Sequence, residues 1–142
     1  MTLGKSLWYQ GRHRLLTDAN SGGFSMGLSA LDGTTTFDDA IHFEVPENST
    51  ELFLVVRDGG VSQVNQSLGL INENQYYEMA FWFDGLRLEL HAYLDGNEVA
   101  VIPLVIANTP FGIPLTPTLR LTEAGAETPE LYTDYMNVGQ ER

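Results

Sequence analysis

The feature that most constrains the fold of this chain is an alternation of apolar with small or polar residues at a period of two. A period of two places successive side chains on opposite faces of a β-strand, and no stretch shows a helical period over three turns. The chain is therefore predicted to be mostly sheet and turns, with one face of each strand turned inward. The clearest inward positions are Phe24, Met26, Leu28, Ile41, Phe43, Val45, Leu52, Leu54 and Val56.

Two Asp-Gly pairs lie between alternating runs in the segment 76–106. Asp-Gly favours a two-residue type I′ turn, in which both central residues have positive φ. With Asp84 and Gly85 as such a turn, the predicted core pairs are Phe83 with Leu86, Phe81 with Leu88, Met79 with Leu90 and Tyr77 with Ala92. The opposite face then pairs Trp82 with Arg87, Ala80 with Glu89, Glu78 with His91 and Tyr76 with Tyr93. A second turn at Asp95-Gly96 extends the hairpin into a meander.

The number of strands sets the fold class. About ten strands are too many for one open sheet in 142 residues, and a hydrophobic content of 43% suffices for one core. We predict an all-β, single-domain, two-sheet antiparallel sandwich. Residues 1–15 are predicted to form an N-terminal basic arm or an edge strand, and residues 16–142 the sandwich.

Composition excludes several classes of function. There is no cysteine, which rules out a disulfide framework and a zinc site built on sulfur. The formal net charge of -12 argues against a nucleic-acid partner, because phosphate binding needs clustered Lys and Arg. The longest apolar stretch, 99–107, is too short to cross a bilayer. The N-terminus has no apolar run of signal-peptide length, so we expect neither membrane insertion nor export by the usual route.

Carboxylates are not spaced for sugar hydrolysis. Jelly-roll glycoside hydrolases place paired carboxylates two to four residues apart on one strand, whereas Glu89 is flanked by Arg87 and His91. Glu78 could approach His91 across the hairpin, an arrangement more typical of a surface contact than of an acid/base pair. No serine lies in a nucleophile-elbow turn. The sequence therefore predicts no enzymatic activity.

Metal ligands are dispersed as well. His13, His42 and His91 show no metal-binding spacing. Asp32, with Asp38 and Asp39, could supply oxygen ligands to calcium, although aspartates that cap turns around 33–36 are the favoured interpretation. We predict no metal site and no cofactor.

Interface-forming residue types occur in two places. The segment 5–15 is basic and aromatic on an otherwise acidic chain, and the non-core face of the 76–93 hairpin carries aromatic side chains beside Arg and His. Trp, Tyr and Arg carry much of the energy of protein interfaces, and aromatic rings also stack on sugars. The candidate partner-binding residues are Trp8, Tyr9, Arg12, Arg14, Tyr76, Trp82, Arg87 and Tyr93.

Three motifs carry a family resemblance: the turn Phe83-Asp84-Gly85, the strand ending in Tyr93-Leu94-Asp95-Gly96, and the late strand 134–138. Together they resemble the second half of a concanavalin A-like (laminin-G-like) jelly-roll. Residues 20–142 also resemble virion structural proteins of tailed phages, on the basis of 39–43, 54–59, the two Asp-Gly hairpins and the ending 134–142. Neither resemblance brings a catalytic motif.

The resemblance to virion proteins implies a capsid decoration (cement) protein that binds the major capsid protein of a tailed phage. Such a protein would be made in the host cytoplasm, lie on the capsid surface, and contact lattice neighbours or further copies of itself. The alternative is a carbohydrate-binding, lectin-like module for host attachment, with a glycan as its partner. A glucanase-like enzyme is a third hypothesis. An accessible aromatic platform with polar groups would favour the lectin, whereas the decoration protein would bury that surface in an assembly.

Overall fold

Ten β-strands and one short 3-10 helix form the regular structure of this computed structural model, which describes residues 1–2, 4–16, 22–30, 37–123 and 130–141. The helix, Ile106–Asn108, has three residues. In the described part of the chain, no helix is long and apolar enough to cross a membrane. The strands are β1 (Leu7–Leu16), β2 (Gly22–Ser29), β3 (Ala40–Val45), β4 (Glu51–Asp58), β5 (Val61–Leu70), β6 (Tyr76–Asp84), β7 (Glu89–Leu94), β8 (Asn97–Pro103), β9 (Thr116–Glu123) and β10 (Glu130–Gln140).

The strands form two five-stranded antiparallel sheets. Sheet A has the order β10-β1-β6-β7-β8, and sheet B has the order β5-β4-β3-β2-β9. The inner faces of the two sheets bury one continuous apolar core, as the alternation predicts. Every inward position named from the β2, β3 and β4 sequences is at most 1% exposed. The predicted two-sheet sandwich is confirmed.

Three aromatic rings join the sheets at the centre of the core. Tyr9 stacks on Phe81 with ring centroids 5.4 Å apart. Both rings contact Phe43 of the opposite sheet, at 6.3 Å from Tyr9 and 6.0 Å from Phe81. Such offset and tilted pairs contribute about 0.5–1.5 kcal/mol each beyond the burial of their area. This cluster fixes which side of β1, β3 and β6 faces inward.

Strand β1 is neither a free arm nor an edge strand, so that part of the prediction for residues 1–15 is wrong. It lies between β10 and β6 and pairs with both along its length. Its inward positions include polar groups that satisfy one another: the Tyr9 hydroxyl hydrogen-bonds with His13 Nε2 at 3.0 Å, and His13 Nδ1 bonds with Thr133 at 3.0 Å. A Cβ at Gly11 would lie 2.2 Å from His13 Nε2. Glycine there makes room for the buried histidine.

The hairpin between β6 and β7 has a longer loop than the two-residue turn that Asp84-Gly85 predicts. Phe81 pairs with Ala92 instead of Leu88, a shift of four residues. The Asp84 carboxylate accepts hydrogen bonds from the backbone N–H groups of Leu86 (2.9 Å) and Arg87 (3.1 Å), which holds the longer loop. Leu86 is therefore 84% exposed, and its predicted core position is wrong.

The turn between β7 and β8 matches its prediction. Leu94 pairs with Asn97 across Asp95 and Gly96, which have φ of 49° and 77°. An irregularity then follows between Ala92 and Tyr93. It shifts the register of β8, so that Val101 pairs with His91 and is exposed, while Ile102 is buried.

Replacing Phe81 with alanine should lower the free energy of unfolding by about 3–5 kcal/mol, because it removes one ring of the central cluster and leaves a cavity. Leu86→Ala is the matched control and should change it by less than about 0.5 kcal/mol, since Leu86 is a surface residue. Urea denaturation of both variants measures this. A loss under about 1 kcal/mol for Phe81→Ala would contradict the assigned core.

Candidate functional site

Six of the eight candidate binding residues come together on the outer face of sheet A, here called the aromatic face. The cross-strand register places them there from β1, β6 and β7. Tyr9 lies instead in the core, fully buried, and Arg87 lies in the β6–β7 loop. The residues that share the aromatic face are Trp8, Arg12, Arg14, Tyr76, Trp82 and Tyr93.

A row of rings crosses the aromatic face perpendicular to the strands. Trp8 on β1 is opposite Trp82 on β6, which is opposite His91 on β7 with ring centroids 4.9 Å apart. The Trp8 indole covers Gly139 of β10, where a Cβ would lie 2.3 Å from Trp8 Nε1. Trp8 is 41% exposed, so part of its ring faces solvent.

The arginines of the aromatic face are engaged by aromatic rings and carboxylates. Arg14 lies over the rings of Tyr76 and Tyr132, 4.9 Å from each centroid. Arg12 lies 4.7 Å from the centroid of Tyr76 and forms an ion pair with Asp134 at 2.8 Å. These cation–π contacts and the ion pair tie β10 to β1 and β6.

The carboxylates of this face are paired in a similar way. The Tyr135 hydroxyl donates to Glu78 at 2.5 Å, and this bond, with one from Gln10, lowers the pKa of Glu78. His91 hydrogen-bonds with Glu98 at 2.9 Å and lies 3.8 Å from Glu89. Glu78 is therefore not the partner of His91 that the predicted register implied. Among the described residues, no group of three His, Cys, Asp or Glu could hold a metal ion.

A groove on the outer face of sheet B follows from the sequence of β2. Phe24, Met26 and Leu28 point into the core, so Gly23, Ser25 and Gly27 lie on the outer face and present almost no side chain there. Gly27 cannot carry a Cβ, which would lie 2.4 Å from the carbonyl oxygen of Ile41. The groove has a volume of about 380 Å³, within the range typical of ligand pockets. Its floor is formed by Gly23 and Ser25.

One wall of the groove is a hydrogen-bonded set of polar side chains from β3 and β4. Glu44 Oε2 lies 3.0 Å from His42 Nε2 and 3.3 Å from Arg57 Nη2. The hydrogen bond from His42 is the main cause that lowers the pKa of Glu44. Burial lowers the pKa of His42, which packs against Phe37 with ring centroids 4.6 Å apart. The wall thus combines a neutral imidazole, a carboxylate and a guanidinium.

The opposite wall comes from β9. Arg120 pairs with Ser25, and Ser25 pairs with Glu44, so one row across the sheet reads Arg120, Ser25, Glu44. Thr122 lines the same wall. Because Ser25 is small, the two charged side chains flank an open space above β2.

Two buried polar atoms in this wall, His42 Nδ1 and Arg57 Nε, have no hydrogen-bond partner among the described residues. Buried polar groups are usually satisfied, and exceptions need an explanation. Both side chains line the groove. Two further atoms of this kind, Arg14 Nε and His91 Nε2, belong to the aromatic face, so unpartnered buried atoms occur beneath both outer faces.

Sequence reasoning did not find the groove. It considered His42 only as a metal ligand, and it assigned no role to Glu44, Arg57 or Arg120. The sequence does contain a signal for it: the outward positions of β2, which alternate with its core residues, are Gly23, Ser25 and Gly27. These small residues leave the outer face of a central strand bare.

The aspartates considered for calcium have other roles where the structure describes them. Asp39 accepts a hydrogen bond from the backbone N–H of Gly59 at 2.9 Å, and the Asp38 carbonyl accepts one from Gly60 at 2.8 Å. They join the start of β3 to the β4–β5 turn. Asp32 lies outside the described residues.

No family model and no curated protein matches this chain. Solved structures share its fold. Carbohydrate-binding module CBM66 from Bacillus subtilis aligns with a TM-score of 0.63 over 100% of this chain and 84% of its own, at 13% identity. Galectin LEC-6 from Caenorhabditis elegans aligns with a TM-score of 0.55 over 97% of this chain and 84% of its own, at 16% identity. A β-glucanase from Bacillus licheniformis aligns with a TM-score of 0.56 over 99% of this chain and 66% of its own, at 20% identity.

The chain has the concanavalin A-like jelly-roll fold. This confirms the resemblance inferred from the Asp-Gly hairpins, although the first of those hairpins has a different loop. At such low identities the alignments establish the fold alone. The resemblance to tailed-phage virion proteins is not tested by them and stays a prediction.

Stability should fall as the pH drops from 7 to 5, because two buried histidines resist protonation. Burial lowers the pKa of His13 to about 4 and also lowers that of His42. Below about pH 6.5 the unfolded chain takes up protons at both positions. The folded chain keeps His13 neutral down to about pH 4, which costs up to about 1.4 kcal/mol per pH unit for this histidine, and His42 adds a loss in the same direction. The carboxylates whose pKa is lowered in the folded chain lose their contribution to stability only at more acidic pH, where they become protonated.

Urea denaturation at pH 7.5, 6.0 and 5.0 measures this loss in the wild type and in His13→Gln. The variant should be less stable at pH 7.5 but should lose less stability on acidification, since one of the two histidines is gone. Equal losses in both proteins would contradict the role given to His13.

Proposed function

We propose that this chain is a non-enzymatic, lectin-like carbohydrate-binding module, and that the groove over β2 holds the glycan. The observation that carries the proposal is the groove itself: a concave surface of about 380 Å³ with a floor of small residues and walls of polar side chains. Sugars present hydroxyl groups that both donate and accept hydrogen bonds. The groove offers a carboxylate that accepts, a guanidinium that donates, and hydroxyls that do either.

The names of the structural neighbours agree with this proposal. A galectin and a carbohydrate-binding module share the fold over most of their own length. The β-glucanase shares it as well, so the fold by itself does not separate binding from hydrolysis. We infer binding without catalysis because Glu44 accepts hydrogen bonds from His42 and Arg57, and because the other carboxylate of the lining, Glu47, is exposed in the turn after β3.

The aromatic face is the competing surface, both for a glycan and for the major capsid protein of the virion hypothesis. Its described arginines contact rings and a carboxylate of the same face, and its carboxylates Glu78 and Glu98 accept hydrogen bonds from neighbouring side chains. A ligand there would compete with these contacts. In the groove, by contrast, the small residues of β2 leave open space between the polar walls. Capsid decoration and self-association remain predictions.

A matched pair of tyrosine substitutions tests the location of the site. Ser25→Tyr fills the floor of the groove, whereas Gln10→Tyr adds the same ring to the aromatic face, beside the small side chain of Ala80. On an immobilised glycan array, Ser25→Tyr should lose at least about tenfold in affinity, the equivalent of about 1.4 kcal/mol. Gln10→Tyr should bind like the wild type.

Both variants are first checked for wild-type circular dichroism and thermal unfolding. Loss of binding by Gln10→Tyr with retention by Ser25→Tyr would move the site to the aromatic face. A wild-type protein that binds no glycan on the array would overturn the proposed function.

A further inference from the structure

Basic residues are scarce in this chain, and two of them line the groove. The sequence has seven Lys and Arg against 19 Asp and Glu. Arg57 and Arg120 come from different strands, β4 and β9, and reach the groove from opposite sides. The same lining contains two glutamates, Glu44 and Glu47.

The negative charge of the same wall is already compensated. Glu44 contacts Arg57 and accepts a hydrogen bond from His42. Glu47 is the other carboxylate of the lining, and it is exposed at the rim beside Pro46. Of the two carboxylates near the arginines, Glu44 is thus already hydrogen-bonded, and Glu47 lies at the rim of the groove.

Arg57 retains unused hydrogen-bonding capacity. A guanidinium has five N–H donors in a planar fork, which fits two oxygens of one carboxylate. Among the described residues, one of these donors, on Nη2, has an acceptor, Glu44, at 3.3 Å, and Nε is buried. The side chain is 32% exposed, so its outer edge is open to a ligand.

Arg120 lies across the small side chain of Ser25 from Glu44. A sugar seated on Ser25 would thus have a guanidinium on the β9 side and a second guanidinium on the β4 side. Charge-assisted bonds from Arg to a carboxylate are roughly twice as strong as bonds between neutral groups. A neutral sugar would leave this extra interaction unused.

We infer that the groove prefers a glycan that bears a carboxylate, a uronic or sialic acid, over the same glycan without the charge. This inference rests on the proposed function and adds the class of ligand. The net charge of -12 opposes an anionic ligand at long range. Physiological salt screens that repulsion beyond about 8 Å, whereas the contacts in the groove are shorter.

The test uses paired probes that differ only in charge. Oligogalacturonate is compared with its methyl ester, and 3′-sialyllactose with its methyl ester, by titration calorimetry on the full chain in 0.15 M salt. In at least one pair, the acid should bind about tenfold or more tightly than its ester. The pair that shows the difference distinguishes a uronic from a sialic acid.

Two variants of equal charge show whether the preference is local. Arg120→Gln should weaken binding of the acid to the level of its ester and leave the ester unchanged. Arg87→Gln removes the same charge from the β6–β7 loop, away from the groove, and should behave like the wild type. Equal weakening by both variants would mean a long-range charge effect and would overturn the inference.

The outcomes separate this inference from the function on which it rests. Equal binding of acid and ester, or binding of neutral glycans only on the array, would overturn the preference for a carboxylate while leaving a glycan-binding module. No binding to any glycan would overturn both.

Discussion

The packing of Tyr9 and Phe81 against Phe43 is the interaction on which the rest of the structure depends. It joins the two sheets at their centre, and it does so through β1, which pairs with strands on both sides. Because side chains alternate along a strand, fixing the inner face of β1, β3 and β6 also fixes what each shows to solvent. Sheet A then displays large rings and arginines, and sheet B displays Glu44 and Arg57 beside a nearly bare β2.

The contrast between the two outer faces decides where a ligand fits. On sheet A, side chains fill the surface and contact one another, so that Arg12, Arg14, Tyr132 and Tyr135 connect three strands. On sheet B, small residues on β2 leave a depression between polar walls. The surface richest in interface-type residues is thus filled by its own side chains, and the poorer one has open space beside polar groups.

Period-two alternation was sufficient to predict the fold class and much of the core. It did not determine which residues pair across the strands. The β6–β7 register differs from the predicted one by four residues because the Asp84 side chain holds a longer loop, and the Asp-Gly pair alone does not distinguish this loop from a two-residue turn. An even shift preserves faces, so Phe81 and Phe83 are buried as predicted. Tyr9 was misplaced because residues 1–15 were predicted as an arm or an edge strand, whereas β1 lies inside sheet A and Tyr9 packs in the core. The groove was missed because it arises from residues that lack side chains, and its walls come from strands far apart in sequence.

The two tryptophans provide the most direct measurement of the account's central claim, that the glycan binds on sheet B. Trp8 and Trp82 both lie on sheet A, so their indole N–H resonances report on that sheet alone. In a ¹⁵N-labelled titration with a bound glycan, the account predicts shifts of the backbone amides around Ser25, Glu44 and Arg120 and unchanged indole resonances. Saturable shifts of both indoles, with the β2 and β9 amides unmoved, would contradict it.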